Sequence, residues 1–399
     1  MKQEGFSLKE QFYEGIRNRL EGMKEAGTYK QYRYLESPMS ARSQIKSKGD
    51  VLVLCSNNYL GLADKKELIQ SGIEALEKYG AGGASVRFIC GTYDIHQELE
   101  DKVAEFLGTE AALTYTSCWA ANTAVIPALL QPGDTVLSDE LNHASIVDGC
   151  RLIAKGVNKG IYRHSDMAHL EEKLQEAKDS PVKLVITDGV FSMEGDIAKL
   201  PEIVELVRKY DAILMLDDSH ATGVIGKTGR GTEEYYNMIG SADIITSTFG
   251  KALGGAGGGF VAGKQEVIDL MVQVSRPHLF SNSLPPVLTA IAKTALEYLM
   301  SNPEIVQSLR EKTNYFRKQL KDRGLNILEG DSAIIPIMIY DAPKAVSLAN
   351  KLFEKGIYVT GFSFPVVPKD EARIRLQVSD ALSYEDIDWA SEVIQNLVD

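Results

Sequence analysis

Between residues 112 and 216 the chain alternates short apolar segments with longer segments in which apolar residues recur at helical spacing. Short apolar strands that alternate with amphipathic helices are typical of parallel sheets that helices cover on both faces. We therefore predict an α/β fold with an open, mostly parallel central sheet. The predicted strands lie at 112–116, 135–138, near Ile161, at 184–187 and at 212–216.

After residue 262 this alternation gives way to two long helical patterns and then to a mixture of short strands and helices. Near the start, Phe12, Ile16 and Leu20 recur at helical spacing and predict an amphipathic helix, which an extended arm would follow. We expect an N-terminal helix and arm over 1–60, a large α/β domain over 61–290, and a smaller C-terminal α+β domain over 291–399.

Composition excludes several classes of protein. The 399 residues carry a formal net charge of −12 and no basic run, which disfavours nucleic acid or an anionic membrane as partner. No apolar run approaches the ~18 residues of a membrane span. Residues 1–6 lack the apolar region of a secretory signal, so we expect a cytoplasmic protein. The four cysteines lie far apart and no dense ligand cluster is visible, so we expect no disulfide framework and no metal site.

Open α/β sheets bind ligands beyond the carboxyl ends of their strands, so the residues that follow each strand are candidates for a site. A predicted helix begins at Ser117, Cys118 and Trp119, and its free N–H groups suit a phosphate. A plain serine N-cap explains Ser117 equally well. The carboxylate residue Asp217 comes directly after the predicted strand 212–216, and His220 comes three residues later. His143 follows the strand 135–138.

Lys251 lies between an apolar strand and a run of glycines. Burial disfavours the ammonium form and lowers the pKa of a lysine, which makes its amine nucleophilic and able to form Schiff bases. An ordinary surface lysine at the end of a strand is the alternative. A Schiff-base lysine, an acid for a ring nitrogen and a cup for a phosphate are together what pyridoxal 5′-phosphate (PLP) requires. The glycines around Lys251 fit neither a dinucleotide-binding loop nor a P-loop.

Six segments at these positions resemble the α-oxoamine synthases, a family of fold-type I PLP-dependent transferases with the aspartate aminotransferase-like fold. The resemblance extends over essentially the whole chain. It implies an acyltransferase that condenses an amino acid with an acyl-CoA. The segments are 57–61, 141–145, 188–193, 217–220, 248–252 and 280–283.

The resemblance also implies a role for each candidate residue. Lys251 would bind the cofactor aldehyde, Asp217 would pair with the pyridine nitrogen, and His143 would stack on the ring. Ser192 and His220 would approach the ring hydroxyl or the substrate. The phosphate would be held by Ser117, Cys118, Trp119 and Thr248, together with Ser281 and Asn282 from a partner subunit. The substrate would be bound by Asn57, Arg375 and Ser85.

Within the family, four parts of the chain most resemble the members that condense glycine with acetyl-CoA in threonine degradation: 85–92, 275–277, 358–362 with 365–368, and 372–375. A homodimer with shared active sites is implied as well. Trp119 departs from the phenylalanine of the family pattern, and Leu376 from a small polar residue. One alternative is an 8-amino-7-oxononanoate synthase or another member that uses a longer acyl-CoA. A different class of protein with this fold is also an alternative. A catalytically dead subunit would lack Lys251, and the sensor half of a regulator would carry a basic DNA-binding domain.

Overall fold

The computed structural model describes residues 7–25, 28–364 and 366–398. Two sets of residues used in the sequence analysis lie outside the described residues. They are residues 1–6, on which the prediction about a secretory signal rests, and Pro365 of segment 365–368. The strands are β1 Arg42–Ile45, β2 Gly49–Val53, β3 Ala111–Tyr115, β4 Thr135–Asp139, β5 Asn158–Tyr162, β6 Lys183–Asp188, β7 Ile213–Asp217, β8 Ile244–Thr248, β9 Gly259–Gly263, β10 Ile334–Tyr340, β11 Ile357–Tyr358, β12 Thr360–Phe362 and β13 Ala372–Gln377.

One turn of irregular helix, Arg87–Gly91, precedes α3. The α-helices are α1 Leu8–Glu25, α2 Lys66–Tyr79, α3 Asp94–Leu107, α4 Cys118–Leu129, α5 Ala144–Arg151, α6 Met167–Glu176, α7 Leu200–Lys209, α8 Thr232–Tyr235, α9 Gln265–Val274, α10 Arg276–Phe280, α11 Pro286–Ser301, α12 Glu304–Asp322, α13 Ala342–Glu354 and α14 Tyr384–Val398.

The described chain has a seven-stranded central sheet in the order β3-β9-β8-β7-β6-β4-β5. Strands β4 to β8 pair in parallel, which confirms the predicted sheet, while β9 runs antiparallel to both β3 and β8. The sequence analysis did not predict this reversal. It arises because β8 and β9 are joined by residues 249–258, which contain no crossover helix, and a parallel neighbour needs such a crossover.

Helices cover the central sheet on both faces, because its strands are apolar on both sides. Leu184 and Ile186 of β6 pack in the core that includes α4 and α9. Val185, between them, packs in the core on the opposite face, which includes α6 and α7. Alternate residues of a strand point to opposite faces, so a strand that is apolar throughout requires both layers.

The C-terminal part contains an antiparallel sheet in the order β10-β13-β12. The arm near the N-terminus packs against this part, because β2 pairs with β1 on one side and with β11 on the other. Gln377, at the end of β13, donates its backbone N–H to Leu54 of the arm at 2.9 Å. The domain divisions after residues 60 and 290 stay predictions.

The predicted N-terminal helix is present as α1, but none of its residues is buried. Phe12 is 64% exposed, and Ile16 and Leu20 are exposed beside it. The apolar stripe of α1 is therefore uncovered in a single chain. Within the described residues, every helix is either too short or too polar to cross a membrane.

Candidate active site

A cavity of about 200 Å³ lies at the carboxyl ends of the central strands. The strand register explains why polar residues meet there: Asp188 of β6 lies beside Asp217 of β7, and Asp217 lies beside Thr246 of β8. Turns that follow parallel strands therefore contribute to one site. The cavity is lined by Ser117, Cys118, Trp119, His143, Ser145, Asp188, Val190, Asp217, Ser219, His220, Thr248 and Lys251.

The carboxylate of Asp217 is buried at the base of this cavity. One of its oxygens accepts a hydrogen bond from the side-chain amide of Asn122 at 2.6 Å, and the other accepts the backbone N–H of Ser219 at 2.9 Å. Asn122 is itself oriented by the hydroxyl of Thr246, which donates to its carbonyl oxygen at 2.8 Å. Two donors on fixed backbone elements hold the carboxylate in one orientation.

Lys251 follows β8 in the loop that leads to β9, and its side chain lines the cavity. Burial lowers the pKa of its amine, although the negative charge of Asp217 acts in the opposite direction. A lowered pKa increases the fraction of neutral amine near pH 7, which is the form that attacks carbonyl groups and accepts protons.

His143 is held at the edge of the cavity by both its backbone and its ring. Its backbone N–H donates to the carboxylate of Asp188 at 3.2 Å, and its Nδ1 lies 2.7 Å from the hydroxyl of Ser145. The indole of Trp119 meets the imidazole edge to face, with ring centroids 5.9 Å apart. Burial lowers the pKa of His143, against the attraction of Asp217.

His220 lies in the turn after β7, and its Nδ1 is 2.8 Å from the hydroxyl of Tyr59. The ring is buried, and burial together with the positive charge of Lys251 holds the pKa of His220 well below its usual range. The imidazole is therefore neutral at physiological pH. A neutral imidazole has one N–H donor and one acceptor nitrogen.

Arg375 of β13 is buried but makes no ion pair with a carboxylate of the described residues. Its guanidinium donates to the carbonyl oxygen of Ser192 at 2.8 Å and to the side-chain oxygen of Gln377 at 3.0 Å. Gln377 also binds the side-chain oxygen of Asn57. A buried cation without a counterion favours an anionic ligand, because burial of an unpaired charge is costly.

The first turn of α4 has the geometry of an anion site. Ser117 is the N-cap, and its hydroxyl accepts the backbone N–H of Ala120 at 3.1 Å. The first N–H groups of a helix have no intrahelical partner. The hydroxyl of Thr248 accepts the N–H of Gly250 at 3.0 Å and donates to the carbonyl oxygen of Gly258 at 2.9 Å; Gly258 also forms a β-bridge with Ser117.

Gly259 allows β9 to pass close to this helix end. A Cβ at this position would lie 2.6 Å from the carbonyl carbon of Ser117, which is closer than real Cβ contacts allow. Because the obstructing atoms belong to the backbone, they cannot rotate away. Glycine is therefore required at position 259, where two backbones pack closely.

Six of the sequence-predicted residues do not line the cavity: Asn57, Ser85, Ser192, Ser281, Asn282 and Arg375. Ser281 and Asn282 are exposed elsewhere on the surface, and their assignment to a partner's site stays a prediction. Ser85 is half-buried, and its hydroxyl donates to the carbonyl of Val86 at 3.3 Å. Ser192 does not line the cavity, but its carbonyl oxygen binds Arg375.

Sequence reasoning missed several polar residues of the site. Asn122 on α4 carries no motif that connects it to Asp217, since the contact spans 95 residues of chain. Asp188 directly follows the predicted strand 184–187, but no role was predicted for it. It is buried, and one of its carboxylate oxygens has no hydrogen-bond partner among the described residues. Burial raises the pKa of Asp188 well above its usual range, and the negative charge of Asp217 raises it further.

Comparisons with known proteins identify the family of this chain. Residues 49–394 match the model of the aminotransferase class I and II family. The human mitochondrial 2-amino-3-ketobutyrate coenzyme A ligase is 49% identical over 94% of this chain and 90% of its own length. An 8-amino-7-oxononanoate synthase of Thermoanaerobacter pseudethanolicus is 46% identical over 96% of both chains. A solved structure of serine palmitoyltransferase with PLP superposes with a TM-score of 0.92, at 30% identity over 98% of both chains.

The fold and the site together define a fold-type I PLP-dependent transferase. The chain belongs to the aminotransferase class I and II family and, within it, to the α-oxoamine synthases.

Proposed function

We propose that this protein is a PLP-dependent glycine C-acetyltransferase, also called 2-amino-3-ketobutyrate CoA ligase. It condenses glycine with acetyl-CoA to give 2-amino-3-oxobutyrate and CoA, and in reverse it cleaves this keto acid, which derives from threonine. PLP-dependent transfer is supported by one observation: a single cavity joins a lysine amine of lowered pKa to a fixed, buried carboxylate. The choice of glycine and acetyl-CoA is supported by the 49% identity to the human 2-amino-3-ketobutyrate coenzyme A ligase.

The residues present fit PLP. The cavity of about 200 Å³ is of the size of a substituted pyridine ring, and its base presents the oriented carboxylate of Asp217. Two buried polar atoms at the cavity, the hydroxyl of Ser219 and one carboxylate oxygen of Asp188, have no partner among the described residues. Buried polar atoms generally have partners, so these two support a polar ligand.

Each part of the cofactor has residues that would hold it. Lys251 would bind the aldehyde and Asp217 the ring nitrogen, while His143 would lie against the ring. The start of α4, with Ser117 to Trp119, and the hydroxyl of Thr248 would hold the phosphate. When bound, PLP supplies an aldehyde that captures an amino group and a ring that accepts electron density from the adjacent carbon.

The protein's own groups then perform the transfer. Arg375, with Asn57 beside it, would bind the carboxylate of glycine and orient its Cα hydrogen toward Lys251. The amine of Lys251 would accept that proton and later return it. His220 would donate a hydrogen bond to the thioester oxygen as negative charge develops there, and such a donor contributes roughly 10²-fold or more to the rate.

A second candidate is 8-amino-7-oxononanoate synthesis from alanine and pimeloyl-CoA. The 46% identity to a synthase of that name favours it. The two reactions would use every group named above, so these residues do not separate them. They differ in the amino-acid side chain, in the acyl chain, and in the loss of the alanine carboxylate as CO2, which the nine carbons of 8-amino-7-oxononanoate require.

The test is to supply purified PLP-loaded enzyme with glycine or alanine and with acetyl-CoA or pimeloyl-CoA, and to follow free thiol. The proposal predicts the highest kcat/KM for glycine with acetyl-CoA, and no thiol release by the Lys251→Ala variant. A preference for alanine with pimeloyl-CoA would establish the second candidate instead.

The active enzyme is proposed to be a homodimer in which Ser281 and Asn282 of the partner subunit complete the phosphate site. Support comes from the exposed apolar side chains of α1 and from Phe280, which is 70% exposed. Mixing inactive Lys251→Ala subunits with inactive Asn282→Ala subunits should restore activity, because one of the two hybrid sites is then intact. Absence of complementation in verified mixed dimers would contradict shared sites.

In the cell, we place this enzyme in the cytoplasm and in threonine catabolism. Fractionation of cells, and growth on threonine after loss of the gene, would test the two assignments.

A further inference from the structure

A chain of buried hydrogen bonds connects Arg375 to His220. The guanidinium of Arg375 donates to Oε1 of Gln377 at 3.0 Å, and Nε2 of Gln377 donates to the hydroxyl of Tyr59 at 2.9 Å. The same hydroxyl lies 2.8 Å from Nδ1 of His220. The four residues come from β13, from the arm after β2 and from the turn after β7.

The orientation of the Gln377 amide is fixed by chemistry. A guanidinium has N–H donors and no acceptor, so the amide atom that faces Arg375 is the oxygen. The amide nitrogen therefore faces Tyr59, and also the side-chain oxygen of Asn57. Consequently the hydroxyl oxygen of Tyr59 accepts a hydrogen bond from Gln377.

The direction of the next hydrogen bond follows from the burial of Tyr59, whose side chain is fully buried. A phenol has one proton to donate. Within the described part of the chain, the hydroxyl has only two partners, Gln377 and His220. Since Gln377 is a donor, the phenolic proton points to Nδ1 of His220, because otherwise it would be buried without a partner.

An imidazole nitrogen that accepts a hydrogen bond carries no proton. The neutral ring of His220 is then protonated at Nε2, the nitrogen that has no hydrogen-bond partner among the described residues, and the ring lines the cavity. Burial is the largest effect that keeps this ring neutral. The positive charges of Lys251 and Arg375, and His143, act in the same direction.

We propose that Tyr59 and Gln377 are positioning residues that hold His220 as the tautomer protonated at Nε2, so that the ring presents a donor to the cavity. The catalytic consequence rests on the proposed function. With the proton at Nε2, His220 donates a hydrogen bond to the thioester oxygen, whereas the other tautomer would direct a lone pair at the developing negative charge. The amide that orients this donor also contacts Arg375, so binding of the glycine carboxylate and placement of the donor share one support.

The tautomer is measured by ¹⁵N NMR of histidine-labelled, full-length protein, with and without PLP, over about pH 5 to 8, where an unperturbed histidine titrates. The signals of His220 are those missing from a His220→Asn variant. In the unmodified protein we expect a neutral ring protonated at Nε2 throughout this range. Tyr115→Phe, which removes another buried hydroxyl that contacts Ser275 at 2.9 Å, is the matched control and should leave the His220 signals unchanged.

Two variants test the direction of the chain. Tyr59→Phe removes the donor to Nδ1 and should give a mixture of tautomers. Gln377→Glu replaces the amide donor by acceptor oxygens, so the phenol should donate to the new carboxylate and the proton of His220 should move to Nδ1. This reversal decides the matter even if Tyr59→Phe does not fold.

A ring protonated at Nδ1 in the unmodified protein, or a tautomer ratio that neither variant changes, would overturn this inference. The outcome is independent of acyl transfer. A protein that shows the Nε2 tautomer but does not transfer acetyl groups to glycine would refute the proposed function alone, and the opposite pair of results would refute the tautomer alone.

Discussion

The side-chain amide of Asn122 donates a 2.6 Å hydrogen bond to the carboxylate of Asp217, and this contact joins α4, whose N-terminus faces the proposed phosphate, to the carboxylate that faces the proposed ring nitrogen. A hydrogen bond to a charged group contributes about 1.5–3 kcal/mol. This buried contact therefore links the two elements that would hold the two ends of a bound cofactor.

Replacement of Asn122 by leucine should therefore weaken PLP binding about 10- to 100-fold, which is the equivalent of this energy. Titration of the cofactor-free protein with PLP, followed by absorbance, measures the effect. Asn326→Leu is the control, because Asn326 donates to Tyr340 at an exposed site. Equal PLP affinity in the Asn122→Leu variant and the unmodified protein would show that Asp217 does not depend on this contact.

Gly259→Ala should reduce both stability and PLP affinity, because the new methyl group overlaps the backbone at the start of α4. Overpacking of this kind costs about 1–3 kcal/mol. Gly82→Ala should be nearly neutral, since no atom lies within 4 Å of a Cβ at that position. Thermal unfolding and PLP titration of both variants make the comparison; a Gly259→Ala protein that matches Gly82→Ala in both would contradict the close approach.

Arg87, in a segment that resembles the glycine-specific members, makes a structural ion pair. Its guanidinium binds both carboxylate oxygens of Glu100, at 2.7 and 3.1 Å, and both side chains are largely buried. Loss of one partner from a buried pair costs about 3–5 kcal/mol, so Arg87→Met should be strongly destabilised. Adding Glu100→Gln removes the uncompensated charge and should recover much of the loss in chemical unfolding. Failure of the second substitution to restore stability would argue against an electrostatic origin.

His164 bridges two carboxylates, with Nδ1 3.0 Å from Asp139 and Nε2 3.0 Å from Asp196. Although burial opposes the charged form, these hydrogen bonds raise the pKa of His164 to about 10. Since the pKa is higher in the folded state than the ordinary value of about 6.5, the stabilisation is complete below about pH 6.5 and is lost as pH rises toward 10. The difference in Tm between the unmodified protein and His164→Gln should thus be larger at pH 6 than at pH 9.5. A difference that grows with pH would contradict the sign.

The apolar strands and the residues that follow them were predictable, because strand and helix periodicities are local properties of the chain. The antiparallel strand β9 was not, since its direction depends on the absence of a crossover in the loop that carries Lys251. Arg87 illustrates another limit: its position in a motif was visible, but its partner Glu100 was not.

Hydrogen-bond networks between distant segments were equally invisible in the sequence. Tyr59 belongs to a recognisable segment, yet its contact with His220 spans 161 residues and that with Gln377 spans 318. Such pairs become neighbours only when the arm, the central sheet and the C-terminal sheet meet. The sequence thus predicted Lys251, Asp217 and Arg375, and the structure adds the residues that contact and orient them, such as Asn122 and Gln377.

The central claim is that Lys251 moves the Cα proton of glycine in a PLP-containing site. Incubation of the PLP-loaded enzyme with glycine in D₂O, without acyl-CoA, isolates this step, and NMR follows the loss of the Cα–H signal. We predict exchange by the unmodified enzyme and a decrease of at least about 100-fold in Lys251→Ala reconstituted with PLP, as expected for loss of a general base. Exchange by the variant at the rate of the unmodified enzyme, or no exchange by the unmodified enzyme, would contradict the account.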